Sequence, residues 1–529
     1  MGRIRITGMN SGLDTDAMVK ELVNAYEKQG EKYTKKKTTT EWKQEAWTTL
    51  NGKIKNFFSK QASNMRFSSA YSKKKTTVSD SSKATIVTGA NAVNGTQTLK
   101  INSLATAGYL TGGKITDANG KPVSKDTTLA ELGYDLGSTE LKIRKGDDAS
   151  KDPTSITIDG SMSLEKVASL ISNAGYNASY DEANGRFYIS SKETGVANDF
   201  SFVSDSAGGQ KIEELLRFKD TYEKEADGVT NKLDDDNNPI KIADGPVKIK
   251  GEDAQIELNG VTYNSTSNNF SINGLTITAK DVTTQALSLV TDTDYDEIYD
   301  NIKNFFKEYN SLVNEMDKLY NAKSSKGYEP LTSDEKEAMT DDEIEKWETK
   351  IKDALLRGDS ELDTIASTMR KAMLTTIKIG EGESAKTYSL SSFGISTLGY
   401  FEAADNEKNA YHIDGNADDP DTSGKEDKLR AMIASNPEDT AKFFQELAKN
   451  LYDEMNKIQS RSDSYTSYGN FFSDKKLQNE YVEQTKQVEK WEKYVADQED
   501  KYYKQFTAME SAMSSLNSQQ SYISQLFAG

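Results

Sequence analysis

Apolar side chains recur in steps of three and four near both ends of this chain, and that spacing constrains its fold more than any other feature. Toward the start, Met18, Val19, Leu22, Val23 and Tyr26 fall on one helical face, leaving Lys20, Glu21, Asn24 and Glu27 outside. After Gly30 and a lysine- and threonine-rich stretch the pattern resumes as Trp47, Leu50, Ile54, Phe57 and Gln61. Toward the end, Val488, Trp491, Val495, Gln498 and Tyr502 alternate the same steps, and Phe506, Met509, Met513, Leu516, Gln520, Ile523 and Phe527 continue them. This is coiled-coil periodicity. Consecutive four-residue steps from Gln498 through Tyr502 to Phe506 form a stutter, which locally unwinds a left-handed supercoil. A helix from Lys475 to Phe527 would be about 80 Å long at a rise of ~1.5 Å per residue.

Other helix signals support the pattern. Asp14 or Thr15 can cap the first helix, with Asp16 in its positive first turn. Gly8, Ser11 and Gly12 form a flexible lead-in. Residues 505–529 hold a single charge, Glu510, among many Ser, Gln and Asn. Such a segment either packs among other helices or is a frayed polar tail.

The middle of the chain has a different texture. From about Thr76 to Ser288 short runs such as "TQTLKI", "SITIDG", "GRFYIS", "NDFSFV", "AQIELNGVTY" and "GLTITA" favour strands, punctuated by Gly, Asn and Asp. The acidic stretch 223–246 reads as a loop or a return linker. Helices resume with Ile298, Ile302, Phe305, Tyr309, Leu312, Met316 and Leu319, capping boxes at Thr332/Glu335 and Thr340/Glu343, a helix stop at Gly358, and a helix start at Asn436-Pro437. The expected fold is α+β and multidomain: a terminal coiled-coil stalk and a helical bundle, with small antiparallel β domains inserted in the middle of the chain.

Composition narrows the chemistry. At 529 residues several domains are expected. The formal charge of −18 argues against nucleic acid or anionic lipid as a partner. No run approaches the ~18 apolar residues of a membrane helix, so no membrane is expected either. Residues 1–12 lack the apolar core of a cleaved secretory signal, so export would need another route. With no cysteine and one histidine, His412, thiolate sites, a Ser-His-Asp triad beyond that imidazole and a two-histidine metal site are excluded. His412 is read as an ordinary structural or surface residue.

The remaining motifs are weak. Gly108-x4-Gly113-Lys114 nearly spells a phosphate loop, but Ile115 replaces the Ser or Thr that ligates magnesium. "DDDNNP" from Asp234 and "DGNADD" from Asp414 lack the Gly and Glu of a calcium loop and read as solvated turns. Arg357-Gly358-Asp359 spells an adhesion tripeptide but coincides with the helix stop. No catalytic residue, cofactor or metal is expected.

These motifs converge on one family. "GMNSGLDTDAMVKELV" followed by "EWKQEAW" resembles the N-terminal domain of the flagellar filament cap family, also called hook-associated protein 2. "ANAVNGTQTLKINSLATA" and residues 164–195 resemble its next segments. "IYDNIKNFFKEYNSLVNEM", the run from "YEPLTSDEKEAM" to "LLRGDSEL", "SFGISTLGY" and "NPEDTAKFF" follow in the family's order.

The resemblance implies four parts: a leg of 1–45 with 457–529, a helical bundle of 46–75 with 288–456, an inner β domain of 76–115 with 245–287, and an outer β domain of 116–244. It implies a non-enzymatic assembly factor, secreted by the flagellar type III route and placed at the distal filament tip. Its implied partners are copies of itself in a ring, pentameric at the tip, then flagellin, the hook–filament junction proteins and an export chaperone. Host mucin or glycans would be added if the β domains also serve as a tip adhesin. The interface residues implied are Leu13, Met18, Leu22, Tyr26, Trp42, Trp47, Trp491, Tyr502, Phe506, Met509, Met513, Leu516, Ile523 and Phe527. Flagellin or a junction protein, an adhesin, and an enzyme carried in the β insertion are the rival readings.

Overall fold

Asp14 caps the first helix, α1 (Thr15–Asn56), by accepting a hydrogen bond from the Ala17 N–H at 2.9 Å. The structure is a computed structural model that describes residues 12–117, 119–146, 148–223, 225, 230–399 and 401–527. Gly8 and Ser11 of the expected lead-in lie outside the described residues. The chain divides into two compact units, 1–71 with 295–529, and 72–294.

The helical unit starts with α1, which runs without a break through Gly30 and the lysine- and threonine-rich stretch. Thr39 and Thr40 turn their hydroxyls back onto the carbonyls of Lys35 and Lys36, so these β-branched residues sit in the helix without leaving a polar group unpaired. The expected face ends differently. Phe57–Ala62 forms a π-helical turn, and its extra residue shifts the register. Phe57, Phe58 and Ala62 are buried while Gln61, expected in the apolar row, is only half-buried. Phe58 gains a stacked partner in Tyr452, with ring centroids 4.3 Å apart.

The second unit, 72–294, carries two hydrophobic cores. One is formed by a five-stranded antiparallel sheet, in the order Lys74–Val78, Leu287–Thr293, Gly95–Ser103, Ala254–Leu258, Val261–Ser265, together with a three-stranded sheet, Asn269–Ile272, Leu275–Ala279, Ala84–Thr88. Asn259-Gly260 and Asn273-Gly274 close two of its hairpins with positive φ at both positions, which is why Asn-Gly stands there. The other core lies between a four-stranded sheet, Val247–Ile249, Ala107–Thr111, Arg186–Thr194, Tyr176–Asp181, and a three-stranded one, Thr154–Ile158, Thr139–Lys145, Phe200–Phe202.

This core also holds two helices that the strand-rich reading of 76–288 did not anticipate, α2 (Leu164–Asn173) and α3 (Ala207–Leu215). Both have side-chain caps, Ser163 and Ser206, and α2 buries Leu164, Val167, Ala168 and Ile171 at helical spacing. The boundaries expected at 75 and 288 fall inside the strands Lys74–Val78 and Leu287–Thr293.

The helical unit continues with α4 (Tyr295–Tyr320), α5 (Ser333–Glu337), α6 (Asp341–Asp353), α7 (Ser360–Met373), α8 (Lys428–Ser435), α9 (Pro437–Gln459) and α10 (Asp474–Phe527). Both capping boxes form, at Thr332/Glu335 and Thr340/Glu343. Gly358 does not end α6, which stops earlier at Asp353; with φ +63° it turns the chain into Asp359, the N-cap of α7. Asp359 also pairs with Lys43 at 2.9 Å, and the Arg357 Nε donates to the Ala322 carbonyl at 2.8 Å, so both charged ends of the adhesion-like tripeptide are engaged inside the unit. The core of this unit is aromatic: Trp47, Phe57, Phe305, Phe306, Tyr309, Phe393, Phe443, Phe444 and Phe471 are all buried.

The weak motifs resolve as packing and turns. Gly108 lies in a strand, where a Cβ would meet the Asp199 carboxylate at 2.0 Å, so close approach explains this glycine. Asp234 accepts from the Asp236 and Asn238 N–H groups, making "DDDNNP" a turn.

Candidate functional site

The ends of the chain meet as an antiparallel helix pair. Trp47 of α1 stacks on Phe472 with centroids 5.2 Å apart, and the buried Asn51 accepts from the Phe471 N–H while donating to Asn470 Oδ1. Farther along, Gln44 meets Gln478, and Lys37 lies over the Tyr481 ring. Trp491 then crosses α1 at Gly30. A Cβ on Gly30 would lie 2.2 Å from Trp491 Cδ1, so the indole can seat against the helix backbone only because this residue is glycine. The indole Nε1 donates to the Tyr26 carbonyl at 3.0 Å, and its ring lies 5.6 Å from that of Tyr33 and 5.1 Å from that of Tyr494.

Tyr26 closes this aromatic cluster. Its ring meets Tyr494 edge-on at 5.8 Å and its hydroxyl lies 3.3 Å from that of Tyr502. The shared hydrogen bond, with burial, holds the Tyr502 hydroxyl above the usual phenol range. Tyr33 and Tyr494 were missed in the sequence; the seven-residue spacing from Tyr26 to Tyr33 was the available signal.

Beyond this cluster the covering of α10 thins out. Val488, Trp491, Val495, Gln498, Tyr502, Phe506, Met509 and Met513 are half-buried, but Leu516, Ile523 and Phe527, next in the same row, are 62%, 52% and 88% exposed. On α1, Val19 and Val23 take the buried side, whereas Met18 and Leu22 face out, as does Leu13 just before the helix. The residues expected to form an interface therefore separate. Trp47, Tyr26, Trp491 and Tyr502 join the two helices, and Trp42 lies half-buried under the Lys352 ammonium. Leu13, Met18, Leu22, Leu516, Ile523 and Phe527 are exposed apolar groups, all lying beyond the Tyr26–Tyr502 contact on the side away from Trp491. Glu510, the single charged residue after Lys504, is buried, so that end of α10 presents no exposed charge among the described residues.

Comparison with known proteins assigns this arrangement. The family model of the flagellar hook-associated protein 2 C-terminus matches residues 251–518, and that of its N-terminus matches residues 11–108. The chain belongs to the flagellar hook-associated protein 2 family.

Two curated members of the flagellar hook-associated protein 2 family align along their length. The protein of Halalkalibacterium halodurans is 24% identical, over 99% of this chain and 100% of its own. That of Thermotoga maritima is 24% identical, over 100% and 96%. Among solved structures, the D1-D2-D3 domains of the flagellar cap protein of Escherichia coli share 21% identity at a TM-score of 0.46, over 79% of this chain and 96% of that one. The cap protein of Pseudomonas aeruginosa shares 23% at 0.30, over 44% and 93%. As a member of this family the chain is a protein of the flagellum, and its own fold is α+β and multidomain, with helices near both termini.

Proposed function

We propose that this chain caps the flagellar filament at its distal tip without making or breaking a bond. Copies assemble as a ring, pentameric at the tip, which retains exported flagellin and promotes its folding and insertion. The observation that supports this most is the end of α10, where Leu516, Ile523 and Phe527 stand exposed with no exposed charge among the described residues after Lys504, a surface suited to a neighbouring copy or a filament subunit. Burying one such side chain contributes about 1.5–3 kcal/mol, so Leu516, Ile523 and Phe527 together supply a firm contact. The Ser, Gln and Asn between them keep it weak enough to re-form as each flagellin is added.

In this reading the chain keeps a leg, a bundle, an inner and an outer β domain, with the bundle ending at 71 and resuming at 295, and the cysteine-free chain travels unfolded through the export channel with a chaperone's help. Hook–filament junction proteins are the first surface it would meet. The test is the partition of flagellin in a strain lacking this chain. Monomeric flagellin lost to the medium, and recovered into filaments when the chain is restored, is the expected result; normal filaments in the deletion strain would contradict the role.

A further inference from the structure

His412 sits on the short strand Tyr411–Ile413, paired with Ile395–Thr397, and the loop after it folds back over it. The Thr422 hydroxyl donates to the Ile413 carbonyl and the Gly415 N–H to the Thr422 carbonyl, which brings Asp419 and Asp421 to the imidazole. Four carboxylates, Asp414, Asp418, Asp419 and Asp421, crowd the first half of this loop. Lys425 pairs with Asp414 at 3.1 Å and Lys303 pairs with Asp418, so lysines compensate two of them. Asp419 meets His412 Nδ1 at 2.7 Å, and among the described residues no basic side chain pairs with Asp421.

The other imidazole nitrogen, Nε2, is buried with no hydrogen-bond partner among the described residues. One ligand atom from each of His412, Asp419 and Asp421 lies within 4.8 Å of the others, and the three line an open cavity of 910 Å³.

We propose that His412, Asp419 and Asp421 bind a divalent transition-metal ion such as Zn²⁺, which clasps the 414–427 loop to the strand. An imidazole with two carboxylates suits zinc better than calcium, which takes six or more oxygens. Zinc takes the place of the proton between Nδ1 and Asp419, leaving the imidazole proton on Nε2; the 2.7 Å contact opens toward the ~3.4 Å between ligand atoms of tetrahedral zinc, and rotation of the exposed Asp421 brings its carboxylate in. The cation takes a neutral imidazole and two carboxylates, and water from the cavity completes its shell. Linear spacing alone gave no such set, because the fold-back of the loop creates it.

The chain carries one histidine and no cysteine, so imidazole ligation can be read without ambiguity. Zn²⁺ is titrated into the full chain with its histidine isotopically labelled, alongside calorimetry. The expected result is one ion per chain, displacement of the His412 signals and a raised melting temperature for the helical unit. His412→Asn abolishes these effects. Asp421→Asn, at an exposed position outside the core, keeps the fold and weakens binding at least tenfold. Absence of Zn²⁺ binding at micromolar concentrations, or binding that leaves the His412 signals unmoved and is equal in the Asp421→Asn chain, would overturn the site and mark diffuse attraction to an acidic surface.

Discussion

Gly30 and Gly52 lie in the same helix and should answer the same substitution with opposite signs. At Gly30 a methyl group collides with the Trp491 ring, displacing the indole and breaking its hydrogen bond to the Tyr26 carbonyl, so Gly30→Ala should cost about 1–3 kcal/mol. At Gly52 nothing lies within 4 Å, and Gly52→Ala should add up to about 1 kcal/mol by restricting the unfolded chain and favouring the helix. Melting of the helical unit in the two variants checks both signs; equal shifts would contradict the close approach of Trp491. The sequence held part of this. Trp491 stood in the three-four row and so promised a buried side chain, but a glycine within a polar stretch carries no mark of the indole it must admit. Its role depends on a residue 461 positions away.

Elements were most legible where local chemistry and pattern agreed. The capping boxes were readable because Thr and Glu three residues apart satisfy the helix start by themselves, whereas the π-helical turn at Phe57–Ala62 arises from packing against Tyr452 and leaves no local signal. α2 and α3 were hidden by their strand-rich surroundings, although Leu164, Val167, Ala168 and Ile171 keep helical spacing. The box at Thr332 also fastens α5 to α1. The Thr332 N–H donates to Glu335 at 2.7 Å and Lys35 reaches it at 2.9 Å; burial opposes these contacts, and together they leave the carboxyl below the usual range. A depressed folded-state value means that the stabilisation is full above the unfolded carboxylate range, near pH ~4.3, and is lost as the pH falls through the lower folded value. Glu335→Gln should therefore lower the melting temperature of the helical unit at pH 7, by an amount that shrinks as the pH falls below the unfolded carboxylate range. The loss at pH 7 stays below about 1 kcal/mol because the Glu335 side chain is 42% exposed and screened. A gap that is unchanged at low pH would contradict the assignment.

At the scale of the whole molecule, the pairing of the two ends could be read from the sequence, because matched apolar rows with a β-rich insertion between them require the chain to go out and return. Where the covering of α10 stops could not be read, since the row runs on unchanged from Met513 to Phe527 and only the described partner residues on α1 mark the limit. That limit is where the proposed contact with the filament or a neighbouring copy lies, at the bare end of the helix pair. The most direct test replaces Leu516, Ile523 and Phe527 together with Asp in the chromosomal copy and measures flagellin in filaments and in the medium. Monomeric flagellin should escape to the medium while the purified chain keeps its helical content and the melting of its β unit. Filaments of normal length, with flagellin retained as in the parent strain, would contradict a capping contact at this end.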